Sequence, residues 1–286
     1  MILVTGATGS VGREVVQQLR AGGHPFRALV RSKESAGKLG LTPDETSMGD
    51  FTDLASLAAA MKGVAAVYLA CRGGPDQPAL EGAVAEAARM AGIGRIVKLS
   101  AMAASDMSSA YAKRLNGLAE RRVMETGVPY TMLRPTNFMQ NFIYYNAAGL
   151  AKSRVLRHAV GDARIAFIDT RDIAVIAVAA LTESGHEGRA YDLSGPEALS
   201  YHDVAAKLSK ATGREFRYEP ISDAELVRSL VAAGATPAAA RGSLSLQQYY
   251  REVGSGAVNA WTEVITGKPA RTLDALFAEH AALFKA

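Results

Sequence analysis

The sequence predicts an α/β fold: a doubly wound parallel sheet with helices on both faces and a smaller, mostly helical C-terminal lobe. Three observations lead there. Short apolar runs rich in β-branched residues alternate with longer segments of helical period, as in a sheet built from right-handed crossovers. The runs are apolar on both faces, as strands buried between two helix layers must be. The first run also ends in a glycine cluster that opens directly into a helix.

Ile2–Thr5 reads as the first strand, followed by a helix from about Val11 to Arg20 that stops at Gly22-Gly23, where glycine adopts a left-handed cap at little steric cost. Phe26–Val30, Thr46–Met48, Ala66–Ala70, Arg95–Leu99 and Tyr130–Leu133 are the next strands. Helices at Pro78–Ala91 and Ala112–Thr126 end at Gly92 and at Gly127 with Pro129. After Leu133 the regularity falters. An aromatic, amide-rich segment at Asn137–Tyr145 is followed by a strand-like return at Arg164–Ile168. Asp172–Leu181 then reads as a helix and Arg189–Leu193 as the last strand. Ser200 to Asp203 is a capping box opening a helix to about Ala211, and the tail from Arg214 is mostly helical.

Of the 286 residues, 49% are hydrophobic and 21% charged, which places the chain among ordinary globular proteins with a sizeable core. The formal charge is +4, but Lys and Arg are scattered among acids and form no basic stripe, so nucleic acid is not implied. A modest positive field suits an anionic small molecule instead. Cys71 is alone, which excludes an internal disulfide, and His24, His158, His186, His202 and His280 are too dispersed for a local metal site. With no leader pattern at the N-terminus and no uncharged span, the expected setting is cytoplasmic and away from membranes.

The glycine cluster runs Val4-Thr-Gly6-Ala-Thr-Gly9-Ser-Val-Gly12. Gly6 permits the tight turn, Gly9 lets backbone amides approach a pyrophosphate, and Gly12 lets the helix pack closely, the arrangement of a Rossmann-type dinucleotide site. A P-loop would need Lys and then Ser or Thr after the glycines, whereas Gly12 is followed by Arg13-Glu14. Sites selective for NAD(H) place an acid at the end of the second strand; this chain has Arg31, with Lys33 close behind. An arginine there pairs with a 2′-phosphate and favours NADP(H) over NAD(H). The plainer alternative is a solvated basic turn.

With Gly49-Asp50-Phe51, Gly127-Val-Pro129-Tyr-Thr131, Leu133-Arg-Pro135 and Asn137-Phe138-Met-Gln-Asn141, these residues resemble the NmrA-like branch of the atypical short-chain dehydrogenase/reductases over nearly the whole chain. Within that branch the chain is most similar to NAD(P)H azoreductases, triphenylmethane reductases and small quinone reductases, as is its stretch Gly267-Lys-Pro-Ala-Arg-Thr272. The resemblance implies a cofactor set of Gly6, Thr8, Gly9, Ser10, Val11, Gly12, Arg31, Asp50, Phe51, Ala70, Ser100, Asn116 and Pro135. Thr8, Ser10 and Val11 would line the phosphates; Asp50 and Phe51 would border the adenine. For Asp50 and Ser100 a purely structural role competes closely. The implied division is a dinucleotide-binding domain over 1–135, with 160–195 returning to the sheet, and a substrate lobe from 136–159 and 196–286.

The Tyr-x-x-x-Lys pair of most short-chain dehydrogenases is missing: Tyr111 is followed four residues later by Leu115. Where the branch often has Lys or His, four residues before Glu120, stands Asn116, which cannot shuttle protons. Tyr111 and Asn116 are therefore weak catalytic candidates. Hydride transfer to a ketone makes an alkoxide with a conjugate acid of pKa roughly 16, whereas a quinone yields a phenolate-like anion of pKa about 10. Acceptors of the quinone, azo or dye type need orientation more than acid catalysis.

The candidate wall for such an aromatic substrate is Asn137, Phe138, Asn141, Phe142 and Tyr145, with Gln140 and Tyr144, although aromatics at helical spacing also build cores. Packing is the expected role of Cys71. The reading is an NADPH-dependent reductase; the alternative is a non-catalytic NAD(P)-sensing regulator that binds a partner protein.

Overall fold

The computed structural model describes residues 1–285. Among these, the strands are β1 (Ile2–Val4), β2 (Phe26–Val30), β3 (Thr46–Met48), β4 (Ala66–Leu69), β5 (Arg95–Leu99), β6 (Tyr130–Pro135), β7 (Val155–His158), β8 (Arg189–Leu193) and β9 (Arg217–Pro220). Seven of them form one sheet in the order β3-β2-β1-β4-β5-β6-β8, all parallel. The chain reverses direction across the sheet between β1 and β4, and open α/β sheets bind ligands at that crevice, beyond the carboxyl ends of the strands. Val4 is in register with both Ala28 and Tyr68, so the loops after β1, β2 and β4 leave the sheet at one edge.

Successive strand residues point to opposite faces, and each face has its own helices. The helix α1 (Ser10–Ala21) buries Val11, Val15, Val16 and Leu19, a stripe at helical period. The short α2 (Lys33–Lys38) and α3 (Leu54–Ala60) are capped by Ser32 and Asp53. They are followed by α4 (Gln77–Met90), α5 (Tyr111–Glu125), α6 (Ala147–Ser153) and α7 (Thr170–Thr182). On one face α1 and α7 cover Val4, Ala28, Tyr68, Val97 and Leu133; on the other, α3, α4 and α5 cover Leu3, Val67, Leu69, Ile96 and Met132.

A separate apolar core gathers side chains from α8 (Tyr201–Thr212), α10 (Pro237–Glu252) and α12 (Leu273–Glu279); α9 (Asp223–Ala232) packs on α10, whereas α11 (Trp261–Thr266) lies against α7 and β8. Phe142, Phe167, Tyr201, Leu208 and Phe277 meet there. The expected capping box is present: Ser200 Oγ accepts from Asp203 N while the Asp203 carboxylate accepts from Ser200 N.

One expectation needs correction. Arg164–Ile168 does not form a strand of the sheet. The edge of β6 is occupied by β8, and the segment makes only isolated bridges, Ile165 with Leu199 and Ser255, Ile168 with Phe138. The tail is mostly helical, as expected, and its one short strand, β9, pairs with β7 in a small parallel sheet. Arg157, Arg217 and Glu219 interrupt these ladders with charge, so neither segment has the apolar pattern of a buried strand. No described helix is long and apolar enough to cross a membrane.

Candidate active site

The turn after β1 shows which glycines the fold itself demands. Gly6 has φ +59°, and a Cβ there would stand 2.7 Å from the Ala70 carbonyl oxygen. A Cβ on Gly12 would be driven into the Gly6 backbone. Gly9 is different: it is exposed, its φ is −75°, and an added Cβ would meet nothing closer than Gly6 O at 3.2 Å. Packing demands this glycine less than the other two, since a shift of a few tenths of an ångström would accommodate the contact. Gly9 is also the N-cap of α1 and supplies no side-chain acceptor, so the first-turn N–H groups near Ser10 and Val11 face the crevice side uncapped. Exposed Thr8 flanks them, and Arg13 donates through Nη2 to the Thr8 carbonyl at 3.3 Å. The buried Nε of Arg13 has no partner within the protein. Uncapped amides, the helix dipole and an unsatisfied guanidinium together fit a pyrophosphate.

Arg31 and Lys33 are exposed just beyond β2. Asp50 lies on the loop after β3, where its Oδ1 accepts from Thr52 N at 2.9 Å and from Thr52 Oγ1 at 2.7 Å. Those bonds, with a smaller contribution from the Arg31 charge, hold its carboxyl below the usual range. The carboxylate therefore closes a turn, and Phe51 is half-buried against the sheet beside it. If Arg31 receives a 2′-phosphate, Arg31→Ala should reduce the preference for NADPH over NADH by about tenfold or more, the worth of a charged hydrogen bond. Fluorescence titration with both cofactors measures the ratio; an unchanged ratio would place the selectivity elsewhere.

Toward the ends of β4, β5 and β6 several side chains are committed to internal contacts. Ala70 is buried against Gly6, and Pro135 is buried at the end of β6. Ser100 Oγ donates to Glu120 Oε1 at 2.5 Å, and Arg134 clamps both oxygens of the same carboxylate. The Ser100 hydroxyl is thus occupied. Asn116 Oδ1 accepts from Gln77 Nε2 and Lys98 Nζ, each at 3.1 Å, and Nδ2 donates to Ala112 O, which leaves one amide hydrogen for a ligand. Behind it, fully buried Lys98 forms an ion pair with Glu81 at 2.9 Å. Burial pushes the Glu81 carboxyl up, against the pull of the Lys98 charge. The Tyr111 N–H donates to Ser245 Oγ on α10, and its ring packs near Gly242 of that helix. Burial pushes the half-buried Cys71 thiol up to about 11, which suits packing rather than nucleophilic chemistry.

Asn137, Phe138, Asn141, Phe142 and Tyr145 line one cavity of about 260 Å³, near the small end for ligand sites. Residues 142–146 form a π-helix, a local irregularity frequent at functional sites. Phe142 serves the core as well, with its ring centroid 5.3 Å from Phe167 and 5.6 Å from Phe277. Two residues expected in the wall are elsewhere. Gln140 donates to Asp169 Oδ1 and accepts from Thr170 N, anchoring the start of α7. Tyr144 lies under the Arg13 guanidinium, 5.2 Å from ring centroid to Cζ, which ties this segment to the phosphate cradle.

The rest of the cavity comes from residues the sequence did not single out, including His158, Tyr201, Gln247 and Tyr250. Tyr250 donates to Asn137 Oδ1 at 2.8 Å and so fixes that amide. Burial pulls His158 down to about 4, so the imidazole stacked on Tyr201 is neutral at pH 7. Among the described residues no cluster of His, Cys, Asp or Glu could hold a metal ion.

Residues 1–273 match the model of the NmrA-like family. The chain is 40% identical over 285 residues to the (4-alkanoyl-5-oxo-2,5-dihydrofuran-3-yl)methyl phosphate reductase of Streptomyces griseus, covering 99% of each chain. It is 35% identical over 286 residues to the NAD(P)H azoreductase of Xenophilus azovorans, covering 100% of each. Among solved structures, an NADPH-dependent quinone oxidoreductase of Escherichia coli complexed with NADPH superposes with a TM-score of 0.88 at 27% identity, over 98% of this chain and 99% of that one. The triphenylmethane reductase of Citrobacter sp. complexed with NADP(H) gives 0.86 at 25%, over 98% and 100%. With its doubly wound sheet and its glycine cradle, the chain belongs to the NmrA-like family.

Proposed function

We propose that the protein is an NADPH-dependent reductase of small, flat, electron-poor acceptors of the quinone, azo or dye class. The observation that carries this reading is the junction of two features: a helix N-terminus at Gly9, the glycine of the motif that packing demands least, and an aromatic-walled cavity whose segment is tied to it through Arg13 and Tyr144. The nicotinamide would supply hydride, and the protein would supply binding and orientation. The amides of Ser10 and Val11 and the Arg13 guanidinium would hold the pyrophosphate, with Arg31 at the 2′-phosphate. Phe138 and Tyr145 would stack on the acceptor, while Asn137, fixed by Tyr250, would orient it. A face-to-face arrangement gains its rate from proximity.

Tyr111 is followed four residues later by Leu115 rather than lysine, and it packs against α10. Tyr111→Phe is accordingly expected to slow quinone reduction by less than about tenfold, whereas loss of a positioned general acid typically costs about a hundredfold or more. Steady-state kinetics separates the two. The class itself is tested by NADPH consumption with a quinone, an azo dye, a cationic triarylmethyl dye and an unsaturated lactone. Turnover with at least one is expected. Tight NADPH binding with no consumption in any case would overturn the proposal and favour a sensing regulator.

A further inference from the structure

Two rings that line the cavity carry polar atoms the protein leaves unpaired. His158 closes β7 and Tyr201 opens α8, and their rings stack with centroids 4.1 Å apart. The His158 carbonyl is fixed by the Tyr218 hydroxyl at 3.0 Å and the Ile221 N–H at 3.1 Å, and Phe142 and Phe167 stand edge-on to Tyr201. Tyr201 is only 6% exposed. Yet among the described residues no group bonds to either imidazole nitrogen of His158 or to the Tyr201 hydroxyl. The imidazole, kept neutral at pH 7 by burial, offers one N–H and one acceptor nitrogen. Buried polar groups are paired as a rule, and those lining a site are paired by its ligand.

The neighbouring amides are half used. Asn137 Oδ1 accepts from the Tyr250 hydroxyl and Gln247 Oε1 from Ala159 N at 2.6 Å, which leaves the N–H groups of both amides for a ligand. No Asp, Glu, Lys or Arg is among the described residues that line the cavity. Behind its Tyr250 wall stands a cation: buried Lys113 has Nζ 5.8 Å from that ring centroid and 4.6 Å from that of Tyr249. An ion entering the cavity would lose water without gaining a counter-charge, which is costly. A neutral ring bearing oxygen atoms would lose little and find several donors.

We propose that His158 and Tyr201 are the pair that recognises the acceptor, hydrogen-bonding the oxygen atoms of an uncharged quinone, and that the cavity selects such neutral acceptors over cationic dyes and over acceptors carrying an anionic group. The assignment rests on the reductase reading above for the class of acceptor.

The test uses a naphthoquinone, the same quinone carrying a sulfonate, and malachite green. Binding is measured by calorimetry on the protein loaded with NADP⁺, where no hydride is available, and turnover is measured with NADPH. Wild-type protein should bind and reduce the neutral quinone at least about tenfold better than either ion. His158→Phe and Tyr201→Phe keep an aromatic ring and remove only the polar atoms. Each should weaken quinone binding and lower kcat/KM by about tenfold, the worth of a hydrogen bond. NADPH affinity and melting temperature should stay level, because no hydrogen bond within the protein is lost; a merely structural role would show the opposite pattern. Full quinone affinity in both variants would overturn the role of the pair, and equal binding of the quinone and its sulfonate would overturn the selection for neutral acceptors. Either result leaves the reductase reading standing. If no acceptor consumes NADPH, the reductase reading falls, and unchanged calorimetric affinity in the variants would overturn the role of the pair independently.

Discussion

Gly9→Val is expected to weaken NADPH binding at least about a hundredfold while the protein stays folded. The backbone at Gly9 is extended, with φ −75° and ψ 170°, which valine adopts readily, and an added Cβ would meet Gly6 O at 3.2 Å, a close contact that a shift of a few tenths of an ångström relieves. The side chain would instead fill the space through which a pyrophosphate reaches the first-turn amides of α1. Loss of two charge-assisted hydrogen bonds at about 1.5–3 kcal/mol each accounts for the predicted loss. Fluorescence titration gives the affinity and thermal unfolding reports the fold. Retained affinity in a folded variant would place the dinucleotide elsewhere. Gly12→Ala provides the contrast: its Cβ would collide with the Gly6 backbone, so it should lower stability before binding can be measured.

Lys98→Met is expected to destabilise the protein by about 3–5 kcal/mol, the range for stranding one member of a buried ion pair. Lys98 and Glu81 are both fully buried, and Lys98 Nζ also donates to Asn116 Oδ1. Removing the amine leaves Glu81 to ionise in an apolar layer or to take up a proton. Replacing both partners, Lys98→Met with Glu81→Leu, should recover much of the loss because no charge remains buried. Urea unfolding at pH 7 measures both variants. A single-variant loss below about 1 kcal/mol would mean that water or Gln77 compensates the carboxylate.

The sheet was legible because its strands carry the signal that their burial demands. Leu3 and Val4 go to opposite helix layers, and both must be apolar. Gly6, Gly9 and Gly12 were legible for a different reason, since at each of them an added Cβ would press on backbone. The cavity was half legible. Asn137 to Tyr145 stood out as a local run of aromatics and amides, but His158, Tyr201 and Tyr250 reach the same space from distant parts of the chain, with no spacing that announces it. Gln140 and Tyr144 were misplaced because composition does not reveal which side of an irregular turn a residue takes. Lys113 escaped notice because a lysine near a helix start reads as solvated, and only the packing of α10 over α5 buries it.

In the proposed reductase the cradle and the aromatic cavity form one site, in which dinucleotide and acceptor meet. This is tested most directly by the crystal structure of the protein with NADP⁺ and a bound hydroquinone. The pyrophosphate is expected on the amides of Ser10 and Val11, and the nicotinamide at the mouth of the cavity with the hydroquinone ring stacked on it between Phe138 and Tyr145. A nicotinamide turned away from that cavity, or a hydroquinone bound out of contact with it, would contradict the account.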